Sequence, residues 1–239
     1  MSSTSETRLA APAGPAARVA TKRMRLLVTG GTGVLGRAFV PLASAIGHQV
    51  MAPGRSDLDL FDPAAVAAAV RAADAVLHLA TRIQPLDRMQ QPEAWRENDR
   101  LRAEASGILV DAALAAGVTA YVQPTVTFVY PADQPATEQT PIGDVPVIMR
   151  SALVAERQAG RFAAAGGRGV ALRLGLLDGP GTGHDQPVGA LGATLHVADA
   201  ASAFLVALTV PSGVYNVCRD GERVSNRLFA DTTGWHPRW

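Results

Sequence analysis

The stretch Thr29-Gly30-Gly31-Thr32-Gly33-Val34-Leu35-Gly36 decides how the rest of the chain is read. An apolar run, residues 24–29 (MRLLVT), leads straight into it and reads as a strand. Residues 34–46 (VLGRAFVPLASAI) follow with helical periodicity despite Pro41. Three glycines spaced Gly30-x-x-Gly33-x-x-Gly36 between a strand and a helix have separate tasks. Gly30 permits the tight turn, Gly33 lets a pyrophosphate approach the backbone, and Gly36 lets the helix pack closely on the strand. The helix N-terminus aims free N–H groups at the phosphates, with Thr32, Val34 and Leu35 completing the candidate contacts. A P-loop lysine is missing, so the pattern points to a dinucleotide rather than a nucleoside triphosphate.

Outward from this loop, strand and helix alternate. Gly47 closes the first helix and residues 48–53 (HQVMAP) read as a second strand. Asp62 and Pro63 open a helix over residues 63–72, and residues 75–80 (AVLHLA) read as a third strand. A proline-containing loop, a long helix over 96–116, and a fourth strand from residue 119 extended toward Tyr130 come next. Residues 131–146 hold four prolines and read as an exposed loop. A helix containing IMRSALVAER (148–157) and a fifth strand at 170–174 follow, then an irregular glycine-rich stretch at 178–193. A helix at 198–208 and a strand at 213–217 precede a weakly patterned end. This rhythm predicts an α/β fold with parallel strands joined by helical crossovers.

The composition suits one such domain. Of 239 residues, 48% are hydrophobic and 18% charged, and the formal net charge is +1 from 22 basic and 21 acidic residues. That balance disfavours nucleic acid or an anionic membrane as partner. One cysteine, Cys218, and five unclustered histidines give neither a disulfide nor a metal site, which suits a cytoplasmic protein. No apolar run reaches the ~20 residues of a membrane span. Residues 1–23, rich in Ser, Ala, Pro and Arg, read as a disordered tail.

The end of the second strand addresses the kind of dinucleotide. An acidic residue there would bind the adenine ribose 2′-hydroxyl. The chain has Pro53-Gly54-Arg55-Ser56, and Arg55 with Ser56 suits a 2′-phosphate, favouring NADP while leaving NAD possible.

Taken in order, TGGTGVLG, DLDLFD (57–62), DAVLHLAT (74–81), AAGVTAYVQ (115–123), LRLGLLDGPG (172–181), HVADAA (196–201) and TGWHP (233–237) resemble the extended short-chain dehydrogenases/reductases, in their NAD-dependent epimerase/dehydratase branch. The likeness spans about residues 24–237. It implies a Rossmann-type doubly wound sheet over 24–177 and a small C-terminal substrate lobe over 178–239, interleaved with the last core elements. It also places Asp59 and Leu60 at the adenine, Leu79, Ala80 and Thr81 along the cofactor, and Leu174 and Leu176 near the nicotinamide. Asn98 and Thr125 join this cofactor set. A homodimer paired through helices 96–116 and 147–164 is a further implication.

The same family works with a Ser or Thr and a Tyr-x-x-x-Lys pair. Anchored on Tyr130-Pro131 and on Glu156, those positions fall on Val126, Ile148 and Ala152, all apolar. Lys22 is the sole lysine, ahead of the first strand, and residues 131–214 contain no tyrosine. No shift of alignment restores the pair. The remaining candidates for chemistry are Thr127, Tyr130, Arg150 and His184, each able to donate a proton or hold an anion. Only fifteen residues separate Pro180 from His196, which is short for recognition of a nucleotide sugar. The expectation is an NAD(P)-dependent oxidoreductase or epimerase-like enzyme acting on a small carbonyl or modified sugar through an unusual proton donor. A non-redox enzyme on the same scaffold and a catalytically inactive NADP sensor stay open beside it.

Overall fold

In the computed structural model the described residues are 22–84, 88, 91–189 and 192–239. The expected tail lies outside them, save for Lys22 and Arg23. Strand β1 (Arg25–Thr29) is buried beyond its first residue and runs into the glycine loop, after which α1 (Val34–Ala45) begins. Next come β2 (Gln49–Met51), α2 (Pro63–Val70) and β3 (Ala75–His78). The Asp62 carboxylate caps α2 by accepting from the Ala64 N–H, with Pro63 in the first turn.

One long helical segment then departs from expectation. It consists of α3 (Arg96–Arg100), a π-helical turn (Leu101–Ala105) and α4 (Ser106–Ala115), where the pattern predicts an unbroken helix. Strand β4 (Ala120–Val126) gives way to a 3₁₀ turn at Thr127 and does not reach Tyr130. A second 3₁₀ turn (Val147–Met149) leads into α5 (Arg150–Ala164), so Ile148 precedes the α-helix. Beyond β5 (Arg168–Leu174), two short strands, β6 (Leu176–Asp178) and β7 (Thr194–His196), flank the irregular stretch as a parallel pair. The chain continues through α6 (Val197–Ala207), β8 (Gly213–Val217) and α7 (Arg227–Thr233), the last unsignalled by its pattern.

The main sheet has six parallel strands in the order β2-β1-β3-β4-β5-β8. Side chains alternate across it. Leu26, Val28, Leu77, Val122 and Leu172 face a core completed by Phe39 of α1 and Phe204 of α6. Leu27, Val76, Tyr121 and Ala171 face the other core, with Val66 of α2, Leu109 of α4 and Phe162 of α5. From β1 the chain first builds outward to β2, then returns and builds the other way from β3. This is a doubly wound Rossmann-type sheet, and its reversal point lies between β1 and β3. The order is one strand shorter on the β2 side than the six-strand 3-2-1-4-5-6 arrangement, because β2 leads directly through residues 52–62 into α2.

Candidate cofactor and active site

The crevice at the carboxyl ends of β1 and β3 is closed by glycines in contact. Gly30 adopts φ +73, and a Cβ there would sit 2.5 Å from the Ala80 backbone nitrogen. A Cβ on Gly36 would lie 2.2 Å from the Gly30 carbonyl oxygen, so the turn and the helix pack with no space for a side chain. Gly33 differs. Its backbone has an ordinary φ of −72, and an added Cβ would meet only the Gly30 oxygen, at 3.1 Å. Its open side and that of Thr32 are exposed. Helix α1 has no side-chain cap and no acidic residue in its first turn. The N–H groups of Val34, Leu35 and Gly36 therefore lack intrahelical acceptors and face the crevice mouth. A pyrophosphate fits this cradle on geometry and on charge.

The side of the crevice expected to hold the adenine is built from loops. After β2, the Asp57 carboxylate accepts from the Gly54 N–H (2.9 Å) and from Ser56 Oγ (3.2 Å). Asp59 Oδ1 accepts from the Phe61 N–H, while Leu60 is half-buried. Arg55 is largely exposed and forms an ion pair with Glu97 of α3, which also lies 3.7 Å from Arg82 Nε. Two carboxylates, Asp57 and Glu97, thus adjoin Arg55 and Ser56. Asn98, fully buried, accepts from the Arg82 N–H at 2.9 Å and so ties down the loop that follows Leu79, Ala80 and Thr81.

Beneath that loop, His78 joins three elements. Its Nδ1 lies 2.7 Å from Thr29 Oγ1 and its Nε2 lies 3.0 Å from the Leu101 carbonyl oxygen. A carbonyl can only accept, so Nε2 carries the proton and Thr29 donates to Nδ1. Burial lowers the His78 pKa to about 4, against a smaller opposing effect of the Leu101 carbonyl, and the ring is neutral at pH 7.

The four expected chemical groups are not brought together. Thr127 is buried and its Oγ1 donates to the Leu174 carbonyl (3.2 Å), as Thr125 does more weakly to that of Leu172 (3.5 Å). Tyr130 Oη donates to Asn216 Oδ1 (2.9 Å) and accepts from Arg173 Nη1 (2.5 Å). Arg173 in turn holds Glu156 of α5 through two hydrogen bonds, of 2.5 and 2.8 Å. This chain of contacts fills the space between β5, β8 and α5, and burial raises the Tyr130 pKa above its ordinary value. Arg150, the first residue of α5, is exposed and unpaired among the described residues. His184 lies in a turn pinned by its own backbone to Gly179 (2.7 Å). That turn approaches α1, since a Cβ on Gly181 would be 3.5 Å from Arg37 Nη2. Leu174 is buried and Leu176 half-buried at the β5–β6 junction.

The two residues expected at the family's tyrosine and lysine positions differ in setting. Ala152 is fully buried in a cluster with Val129, Tyr130, Ala193 and Val224. Ile148 is half-buried. His196 caps α6, its Nδ1 accepting from the Ala198 N–H. Asp199, in the first turn of α6, accepts from the backbone N–H groups of Arg238 and Trp239, each at 3.0 Å, and fastens the last residues to that helix.

Sheet order, glycine cradle and crevice define a Rossmann-type dinucleotide-binding protein. The chain matches the model of the NAD dependent epimerase/dehydratase family over residues 26–194 and belongs to that family, whose cofactor is a nicotinamide dinucleotide. Among curated proteins it is 33% identical to a 3-diazoavenalumate denitrifying reductase from Streptomyces sp, over 77% of this chain and 72% of the relative. Solved structures share the fold at lower identity. MoeE5 in complex with UDP-glucuronic acid and NAD superposes with a TM-score of 0.73 at 21% identity, covering 90% of this chain and 94% of that one. UDP-N-acetylglucosamine 4-epimerase from Bacillus cereus does so with 0.74 at 16%, over the same shares. RMD from Pseudomonas aeruginosa complexed with NADPH gives 0.69 at 22%, covering 91% and 93%. Among the described residues no helix is long and apolar enough to cross a membrane.

Proposed function

We propose that this protein is an NADPH-dependent reductase whose hydride acceptor needs no proton from the enzyme, namely an aryl diazonium carboxylate. The observation that carries the reading is the pair Ile148 and Ala152, two apolar residues, the second in an apolar cluster, at the positions where the resemblance puts the family's proton donor and the lysine that tunes it. A carbonyl acceptor would become an alkoxide and require an acid nearby. Thr127 and Tyr130 are poor substitutes, because their hydroxyls already donate to the Leu174 carbonyl and to Asn216. A diazonium acceptor removes the requirement. A bound nicotinamide would supply one hydride to the aryl carbon, the C–N bond would break with its electron pair leaving on dinitrogen, and charge would balance without proton uptake. The name of the Streptomyces relative, a denitrifying reductase of a diazo carboxylate, supports the same chemistry.

The chain's own part is to bind and orient. Gly30, Thr32, Gly33, Val34, Leu35 and Gly36 would hold the pyrophosphate. Leu79, Ala80 and Thr81 would flank the cofactor, and Leu174 and Leu176 the nicotinamide. The choice of NADPH rests on Arg55. Its ion pair with Glu97 is exposed and correspondingly weak. A 2′-phosphate, which a guanidinium binds bidentately, would compete for it.

The test is purified protein with NADPH and a 3-diazonium cinnamate, following loss of the 340 nm absorbance, release of dinitrogen, and deuterium transferred from 4-deuterated NADPH to the aryl carbon. Heat-denatured protein measures the uncatalysed background. Equimolar NADPH loss, nitrogen and aryl C–D are expected, with no turnover of an aldehyde and ketone panel. Reduction of carbonyl compounds but not of the diazonium salt would refute the reading, and so would NADPH binding with oxidation by neither.

A further inference from the structure

Every buried side-chain nitrogen or oxygen without a hydrogen-bond partner among the described residues belongs to one of four residues: Asn98, Asp99, Arg102 and Ser151. They lie on α3, on the π-helical turn and on the first turn of α5, which packs against it. Folded proteins satisfy nearly all such groups, so these four residues call for partners that the described polypeptide does not supply.

Arg102 dominates the set. Its side chain is 3% exposed, and both Nε and Nη1 are buried without an acceptor. No carboxylate pairs with it among the described residues, although Asp99 lies near enough to favour its charge. A buried unpaired cation is among the costliest features a fold can carry. The orphaned atoms also have a bias. Asn98 Nδ2, Arg102 Nε and Arg102 Nη1 can only donate, Ser151 Oγ can donate, and Asp99 Oδ1 alone is restricted to accepting while ionised. Such a surplus of donors around a guanidinium fits an acceptor-rich anion.

Placement narrows the anion. The Leu101 carbonyl accepts from His78, the last residue of β3, so Arg102 stands level with the carboxyl end of that strand. On α5, Ser151 is adjacent to Ala152. The pyrophosphate cradle, by contrast, is at the start of α1, at the other end of the crevice from α5.

We propose that Arg102, assisted by Ser151, binds the carboxylate of the substrate at the nicotinamide end of the crevice. This rests on the reductase reading for the identity of the acceptor, but not for the presence of the anion site. The guanidinium grips the carboxylate oxygens, and the aryl body then extends toward the half-buried Ile148.

Binding without turnover tests it. Cinnamate and cinnamamide have the same shape and differ in charge, and their affinities for the NADP⁺-loaded protein are read by calorimetry. Wild type is expected to prefer cinnamate by about 30-fold or more. Arg102→Met is expected to lose that preference while its NADPH affinity stays within about threefold. Arg102→Lys should retain part of it, and Ser151→Ala should weaken cinnamate by about 2- to 10-fold. Equal binding of both probes by wild type overturns the proposal, as does preference retained in Arg102→Met. A parallel collapse of NADPH affinity also overturns it, by assigning the guanidinium to the cofactor. Should Arg102→Met fail to fold, the two-probe comparison on wild type still decides. A cinnamate preference without diazonium turnover would sink the reductase reading and leave this site standing.

Discussion

Replacing Arg102 by methionine should make the ligand-free protein more stable. Burial pushes the guanidinium pKa down from 12.5 to about 10, with Asp99 opposing the fall. The unfolded chain therefore binds more protons than the folded one between those two values. Stability rises with pH across that window, and at pH 7 the full penalty is present. At 1.36 kcal/mol per pH unit, the folded state spends about 3 kcal/mol keeping this cation. Methionine has a similar reach, carries no charge, and fills irregular space well. Allowing about 1 kcal/mol for imperfect packing leaves a gain of about 2 kcal/mol, or roughly 4–8 °C in melting temperature for a chain of this size. Differential scanning fluorimetry and urea denaturation at pH 7 without ligand measure it. Saturating cinnamate should narrow the gap, because the ligand stabilises only wild type. A variant that melts at or below wild type would refute the reasoning, since it would mean that Arg102 has a partner in solution and is not held in reserve.

Three other outcomes follow from the geometry. Gly33→Ala should fold with wild-type stability yet lose dinucleotide affinity, whereas Gly36→Ala should fold poorly because its Cβ would overlap the Gly30 carbonyl; fluorescence titration with NADPH and thermal melting separate the two. Glu97→Gln should free Arg55 and strengthen NADPH binding several-fold at low salt with little change for NADH, while Arg55→Ala should weaken NADPH alone; identical shifts for both cofactors would remove Arg55 from the 2′-phosphate. His78, held neutral by burial at a pKa near 4 against an ordinary 6.5, should make the protein lose stability as pH falls from 6.5 toward 4. In His78→Gln that part of the pH dependence should vanish in denaturation curves taken across the window.

The crevice was legible because its signals are local. The tight turn at Gly30 and the close packing at Gly36 follow from three spacings and a strand–helix boundary. The sequence likewise has no lysine beyond position 22 and no tyrosine between residues 131 and 214. Arg102 was harder to see, yet it stands in line with Ser106, Leu109 and Ala113, a buried stripe at helical spacing. That signal is a charge in a core position, and helical spacing alone does not say what the charge meets. The hydrogen bonds of Tyr130 were not legible at all. They depend on Asn216, 86 residues away, and on Arg173, and only the pairing of β5 with β8 brings those two side by side. The same holds for Glu97 and Arg55, whose contact depends on how the loop after β2 meets α3.

The π-helical turn has an evolutionary corollary. A turn closed between residues five apart carries one residue more than the α-helix it interrupts, and each residue of an α-helix advances it by about 100°. Deleting one residue between Leu101 and Ala105 would restore a continuous helix. It would swing everything ahead of the deletion by about that angle, turning Arg102 away from α5 and the Leu101 carbonyl away from His78. A single codon gained in an otherwise ordinary helix is thus enough to convert a packing element into one that presents a charged group to the interior. It is a short mutational path by which a scaffold that has lost one set of reactive groups can acquire a different recognition site.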